Sequence, residues 1–254
     1  MRIAITREVS PNIGSCELTF IDRAVINYEL AKHQHDEYCD FLRTCGVTVR
    51  VLPADPDCPD CCFVEDAAVI VDEIAVITSM GTATRRRETA AVSEALDKYR
   101  PITVIKPPAL LEGGDVLQIG KRVFVGLSSR TNHLGIEELR RAFERFDYRV
   151  MPVPVMGSLH LKTACTAIDD ETLLINRKWI SEESFDGLRL LSVAEEEPYA
   201  ANALRVGESL CFPAGFPKTT ERILKETANV SILDISEFQK AEAGLTCLSL
   251  LYEV

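Results

Sequence analysis

The chain has 254 residues, 46 % of them apolar, enough to build one large domain or two small ones around a substantial core. Its 39 acidic against 28 basic residues leave a formal charge of -11, which argues against a nucleic-acid or anionic-membrane partner and permits a cationic small molecule. No apolar run approaches the ~20 residues of a spanning helix. Residues 1–9 alternate like a strand rather than a signal peptide, and nine cysteines in such a chain point to free thiols in a reducing, cytoplasmic compartment.

A first strand over residues 2–6 is followed by a helical pattern over 22–44, with Asp22 placed to cap it. His33 and His35 fall on the polar face of that helix. Cys58, Cys61 and Cys62 have metal-like spacing but no second matching pair, so they read as a loop of small residues. A thiol-based metal-binding protein is the rival that this cluster keeps open.

From residue 63 a loose repeat sets in. Residues 63–78 read Phe63-Val64-Glu65-Asp66, an apolar run over 67–71, a turn at Asp72-Glu73 and a second run over 74–78. Residues 112–127 follow the same plan: Glu112-Gly113-Gly114-Asp115, a run over 116–119, a turn at Gly120-Lys121 and a run over 123–127. A third copy, 159–176, opens on Leu159-His160-Leu161-Lys162-Thr163 and turns at Asp169-Asp170. A fourth runs from Ala200-Ala201-Asn202 through Val206-Gly207-Glu208 to Phe212. The last strand, over 245–252, can pair with the first and close a fifth unit from the two ends of the chain. Helical patterns over 84–98, 136–146 and 219–227, the last with a Thr219 cap, follow most copies. No low-complexity linker or charge block interrupts residues 1–254, which read as a single domain. Units too small to bury their own apolar faces pack around a common axis and leave a central channel. An ordinary α/β sheet with the polar residues scattered on its loops fits the same pattern.

Radial packing would bring the polar residues at the head of each unit together: Glu65, Asp66, Glu112, His160 and Cys247. A thiol, an imidazole and a carboxylate are the parts of an activated nucleophile. In an extended segment Glu65 and Asp66 would face opposite sides, so one would bind a cation in the channel, with Asp60 as a further acceptor. Glu112 is placed to orient His160 and stabilise its charged form. Arg85, in an arginine run that opposes a helix dipole, and Arg130, in Ser129-Arg130-Thr131-Asn132, could hold a carboxylate. A ligand cationic at one end and anionic at the other is an amino acid of the arginine type, open to attack by a thiolate at its guanidinium carbon. An acidic empty pocket would keep Cys247 protonated until that cation arrives.

Taken in order along almost the whole chain, these motifs, with Glu88 and Thr246-Cys247, resemble dimethylarginine dimethylaminohydrolase. The resemblance implies a five-bladed pseudosymmetric α/β propeller. It implies hydrolysis of asymmetric dimethylarginine or monomethylarginine to citrulline and an amine through a covalent thiouronium, without a metal cofactor. Cys247 would be the nucleophile, His160 the general acid and base, and Glu112 its orienting partner. Asp60 and Asp66 would bind the substituted guanidinium, Arg85 and Arg130 the carboxylate. Glu65 and the backbone at Leu18 and Ala241 would line the pocket. Zinc at the thiol would be an inhibitor, and a homodimer is compatible with the resemblance. One departure stands out: Glu242-Ala243 where the family usually carries Asp-Gly. An arginine deiminase or an agmatine hydrolase is the nearest rival chemistry.

Overall fold

The computed structural model describes residues 1–254. They form five separate three-stranded sheets. Four have the same local plan: a short antiparallel hairpin, then a crossover to a third strand parallel to the second. Ala68–Ile70 pairs with Ala75–Ile77, which pairs with Ile102–Val104 across the helix Thr89–Asp97. Val116–Ile119, Arg122–Leu127 and Arg149–Pro154 repeat this across His133–Phe143. Cys165–Ala167, Thr172–Ile175 and Arg189–Ser192 do so with only a single 3-10 turn, Glu182–Phe185, in the crossover. Leu204–Val206, Ser209–Pro213 and Val230–Leu233 use the helix Pro217–Ile223. The fifth sheet joins the ends of the sequence: Leu250–Glu253 pairs antiparallel with Arg2–Arg7, which pairs with Thr48–Leu52 after the helix Tyr28–Thr44.

Strand alternation explains how five small sheets share one core. Successive side chains point to opposite faces, and each face packs against a different neighbour. Val123 and Val125 pack toward the blade of Val69 and Val76, whereas Phe124 between them packs toward Leu173 and Ile175. Leu174 in turn faces Leu210 and Phe212 of the next blade. Ile3 and Ile5 meet Ala75 and Ile77, while Ala4 meets Leu204 and Cys211. Five apolar clusters therefore fill the five gaps of a closed ring, the propeller expected from the repeat. The innermost strands of all five blades surround a channel of about 360 Å³.

Several local expectations need correction. The first long helix begins at Tyr28, not at residue 22: Asn27 is the cap, its side chain accepting from Leu30 N and its own N–H donating to Glu237. His35 is buried, not on the polar face, and of these two only His33 is exposed. The helix near 219 starts at Pro217, and the Thr219 hydroxyl accepts from Ala194 N instead of capping it. The last strand starts at Leu250, because residues Leu245–Leu248 form a 3-10 turn.

Candidate active site

The head of each blade is a tight turn placed immediately before the innermost strand, and these turns meet at one end of the axis. Val64–Ala67 carries Glu65 and Asp66, Gly113–Asp115 follows Glu112, Leu161–Ala164 follows His160, and Leu245–Leu248 carries Cys247. Because Val64–Ala67 is helical rather than extended, Glu65 and Asp66 diverge by rotation about the turn and reach different partners.

His160 Nε2 lies 2.7 Å from Glu112 Oε2, and Glu112 is fully buried. Glu112 Oε1 accepts from Gly81 N at 2.9 Å, so the carboxylate is held from both sides. Asp66 Oδ1 is 3.9 Å from His160 Nε2 and accepts from Gly114 N at 3.0 Å. Asp115 accepts from Leu161 N and from the Ser128 hydroxyl, fixing the segment after the histidine. Gly114 packs directly under the ring: a Cβ there would lie 2.6 Å from His160 Nδ1 and 2.8 Å from Asp66 Oδ1. Burial alone would favour the neutral imidazole, but Asp66, the Glu112 hydrogen bond and Asp115 raise His160 to about 9. The Cys247 thiol is pushed far up by burial and by the charges of Glu65 and Asp66. At neutral pH the resting site thus pairs an imidazolium with a protonated thiol.

Cys247 and His160 line the same small cavity, with Glu17, Asp60, Phe63, Asp66, Arg85, Arg130, Leu159 and Ala241–Ala243. Its volume is about 20 Å³, room for about one water. A strap of residues 17–21 contributes Glu17 to this lining and is bonded to other lining residues. Glu17 N donates to Asp60, the Thr84 hydroxyl donates to Glu17, and the Thr19 hydroxyl accepts from Arg130 Nη2 at 3.0 Å.

The two arginines differ. Arg85 is bonded to Asp66 Oδ2 at 2.9 Å and to Glu88 at 3.0 Å, so its charge is already balanced. Arg130 donates to the hydroxyls of Thr82 and Thr19 and lies 3.7 Å from Glu112. Asp66, Glu112 and His160 are also the only set of three potential metal donors whose atoms lie within 4.8 Å of one another. A cation there would have to displace the proton that His160 holds. Cys58, Cys61 and Cys62 are buried free thiols that form no such set.

A family profile described as "N,N dimethylarginine dimethylhydrolase, eukaryotic" matches residues 19–194. The N(G),N(G)-dimethylarginine dimethylaminohydrolase of Streptomyces coelicolor is 40 % identical over 248 residues, 97 % of this chain and 95 % of that protein. The chain belongs to the dimethylarginine dimethylaminohydrolase family. Its Pseudomonas aeruginosa relative of the same name is 34 % identical over 228 residues, 89 % of this chain and 90 % of that one. A solved Pseudomonas aeruginosa dimethylarginine dimethylaminohydrolase, a cysteine-to-serine variant complexed with citrulline, superposes with a TM-score of 0.93 at 31 % identity, covering 98 % of both chains.

Within this dimethylarginine dimethylaminohydrolase fold one sequence-derived site residue, Glu65, stands elsewhere. Glu65 does not line the Cys247 cavity: its carboxylate turns beneath the thiol-bearing turn, paired with Lys162 Nζ at 2.5 Å and accepting from the Thr246 hydroxyl at 2.8 Å. It faces the channel on the far side. The Leu18 side chain packs against the core between the fourth and fifth blades, which leaves its backbone, the part expected to meet the ligand, beside the lining residue Glu17. Other contributors stood in the motifs without an assigned role. Asn202 Oδ1 accepts from Thr246 N at 3.1 Å, and its Nδ2 donates to the Thr246 hydroxyl and to the Lys162 carbonyl, holding the turn of Cys247. Glu88 was legible as an acid three residues after Arg85 on a helical segment. Nothing in the sequence marks Glu242 as a hydrogen-bond acceptor for the strap.

Proposed function

We propose that this chain hydrolyses Nω-methylated L-arginine, both asymmetric dimethylarginine and monomethylarginine, to L-citrulline and dimethylamine or methylamine. The reading rests on one arrangement: the Cys247 sulfur and an imidazole tied to a buried carboxylate line the same acidic cavity. The names of the relatives and the citrulline held by one of them agree with it.

Asp60 and Asp66 hold the cationic guanidinium, Arg130 the substrate carboxylate, and the backbone at Leu18 and Ala241 the amino-acid end. Arg85 shares the carboxylate only by leaving Asp66 or Glu88. The arriving cation offsets the acidic field that keeps Cys247 protonated, and the thiol proton leaves to solvent. Sulfur then adds to the guanidinium carbon. The C–N bond to the methylated nitrogen breaks, and that nitrogen takes the His160 proton and departs as the amine. Neutral His160 next removes a proton from water. The resulting hydroxide adds to the thiouronium carbon, the C–S bond breaks, and the hydroxyl proton passes to the departing sulfur, leaving citrulline, the protonated thiol and the imidazolium of the resting site. Glu112 keeps the ring oriented and stabilises its charged form through both halves. No group outside the chain is called upon.

Residues 1–254 act in this reading as one catalytic domain, since every core is shared by two blades. No helix is long and apolar enough to cross a membrane, and we assign the chain to the cytoplasm on its free cysteines. The deciding experiment incubates the purified protein with dimethylarginine, monomethylarginine, arginine and agmatine and identifies the products. Citrulline with dimethylamine or methylamine is expected. Ammonia from arginine with no methylated amine would assign it to deiminase chemistry instead.

A further inference from the structure

Glu242 is the departure from the usual family sequence noted above, and its geometry is unusual. Its φ of 58° lies in the left-handed region, which a non-glycine side chain adopts only where its surroundings fix it. Its carboxylate accepts from three successive backbone amides of the strap: Thr19 N at 2.7 Å, Phe20 N at 2.5 Å and Ile21 N at 2.9 Å. Convergent amides of this kind form an anion-binding concavity, and hydrogen bonds to a charged acceptor are the strong ones. Glu242 also lines the Cys247 cavity itself.

The same strap residue, Thr19, receives Arg130 through its hydroxyl. Glu242, Thr19 and Arg130 are thus one connected chain from the segment preceding Cys247 to the Arg130 guanidinium that lines the cavity. The cavity that Glu242 and Arg130 line is too small for an amino acid. Admitting one requires the lining to move; the strap supplies Glu17 to that lining, and its backbone amides have Glu242 as their acceptor in the closed arrangement.

We propose that Glu242 is a positioning residue that holds the strap of residues 17–21 shut over the bound amino acid and, through Thr19, sets Arg130 against the substrate carboxylate. The catalytic part rests on the function proposed above. Glu242 then governs capture and retention of substrate more than bond breaking at Cys247. Shape alone does not suffice, because the three amides use both carboxylate oxygens and a glutamine offers one acceptor oxygen without the charge. Length matters as well, since the carboxylate must span from the left-handed turn to the strap.

The test compares Glu242→Ala, Glu242→Gln and Glu242→Asp with the wild type. Amide hydrogen exchange of Thr19, Phe20 and Ile21 in the unliganded protein reads the latch directly. At least tenfold faster exchange is expected in Glu242→Ala, less in Glu242→Gln, with the blade strands unchanged. The rate of Cys247 alkylation by a neutral reagent should rise in the same order. With dimethylarginine, KM should rise about tenfold or more while kcat falls much less, and Glu242→Asp should recover part of the loss. Unchanged exchange at 19–21, or a fall in kcat at constant KM, would overturn the proposal. If no methylated arginine is turned over by any form, the functional reading fails, and exchange and alkylation still decide the role of Glu242. A variant that misfolds shows lost protection in the blades, and Glu242→Gln, which keeps the side chain's size, then decides.

Discussion

Replacing Glu112 with glutamine removes one charge and keeps the shape of a fully buried group bonded to His160. Burial opposes a charged ring, yet Asp66, the Glu112 hydrogen bond and Asp115 lift it from 6.5 to about 9. A hydrogen bond to a charged group is worth roughly 1.5–3 kcal/mol, and about 1.4 kcal/mol moves a titration midpoint by one pH unit. Glu112→Gln should therefore lower the His160 midpoint by about one to two pH units. The Arg130 guanidinium, 3.7 Å from Glu112 Oε1, then faces an amide and pushes in the same direction. At pH ~8 roughly nine-tenths of wild-type rings are charged, against about a tenth to a half in the variant. NMR titration of the chain's four histidines measures this directly, and the descending limb of kcat/KM against pH should move with it. The folded value lies above the unfolded one, so ionisation of His160 contributes stability that is complete below pH ~6.5 and is lost as pH rises through about 9. The melting-temperature gap between wild type and variant should accordingly be wider near pH ~6 than near pH ~10. A wild-type midpoint near 6.5, or a variant midpoint that does not move, would refute this account of the site.

Three further outcomes are expected. Cys247→Ser should abolish turnover while calorimetry still detects citrulline binding; residual turnover above a tenth of the wild type would remove Cys247 from the chemistry. Lys162→Met strands the buried Glu65 carboxylate, whose pKa burial already raises against the pull of Lys162. Breaking one side of such a pair costs roughly 3–5 kcal/mol, and Glu65→Gln in the same background should recover much of the loss in urea denaturation; no recovery would mean that the pair does not act as a unit. Gly114→Ala drives a methyl into the imidazole and Asp66, so activity should fall by about a hundredfold or more, since small misplacements are costly, while the fold survives to be seen by circular dichroism. An active Gly114→Ala enzyme would show that the ring tolerates displacement.

The blades were legible because each repeats a period-two apolar run around a polar turn, and alternation is a local property. The site was legible wherever a polar residue stood just before such a run, as Glu112, His160 and Cys247 do. The start of the first long helix was not. Asp22 is as good a local cap as Asn27, and what selects Asn27 includes a bond to Glu237, 210 residues away. His35 looked polar on the helix wheel, but its face packs inward. Glu65 looked like a ligand acid because Lys162, its partner, heads a blade two full repeats further along the chain. The strap was invisible for a different reason: its bonds to Glu242 come from backbone amides, which every residue except proline owns.

The blade that presents the sulfur is welded from the first and last strands, Arg2–Arg7 and Leu250–Glu253. During synthesis the histidine and carboxylate blades can zip against each other long before residue 247 emerges. The thiol-bearing turn gains its seat only when Leu250–Glu253 docks beside Arg2–Arg7, a strand made long before it. An unfinished polypeptide would thus display the acid–imidazole half of the machinery without its nucleophile, and reactivity would switch on together with ring closure.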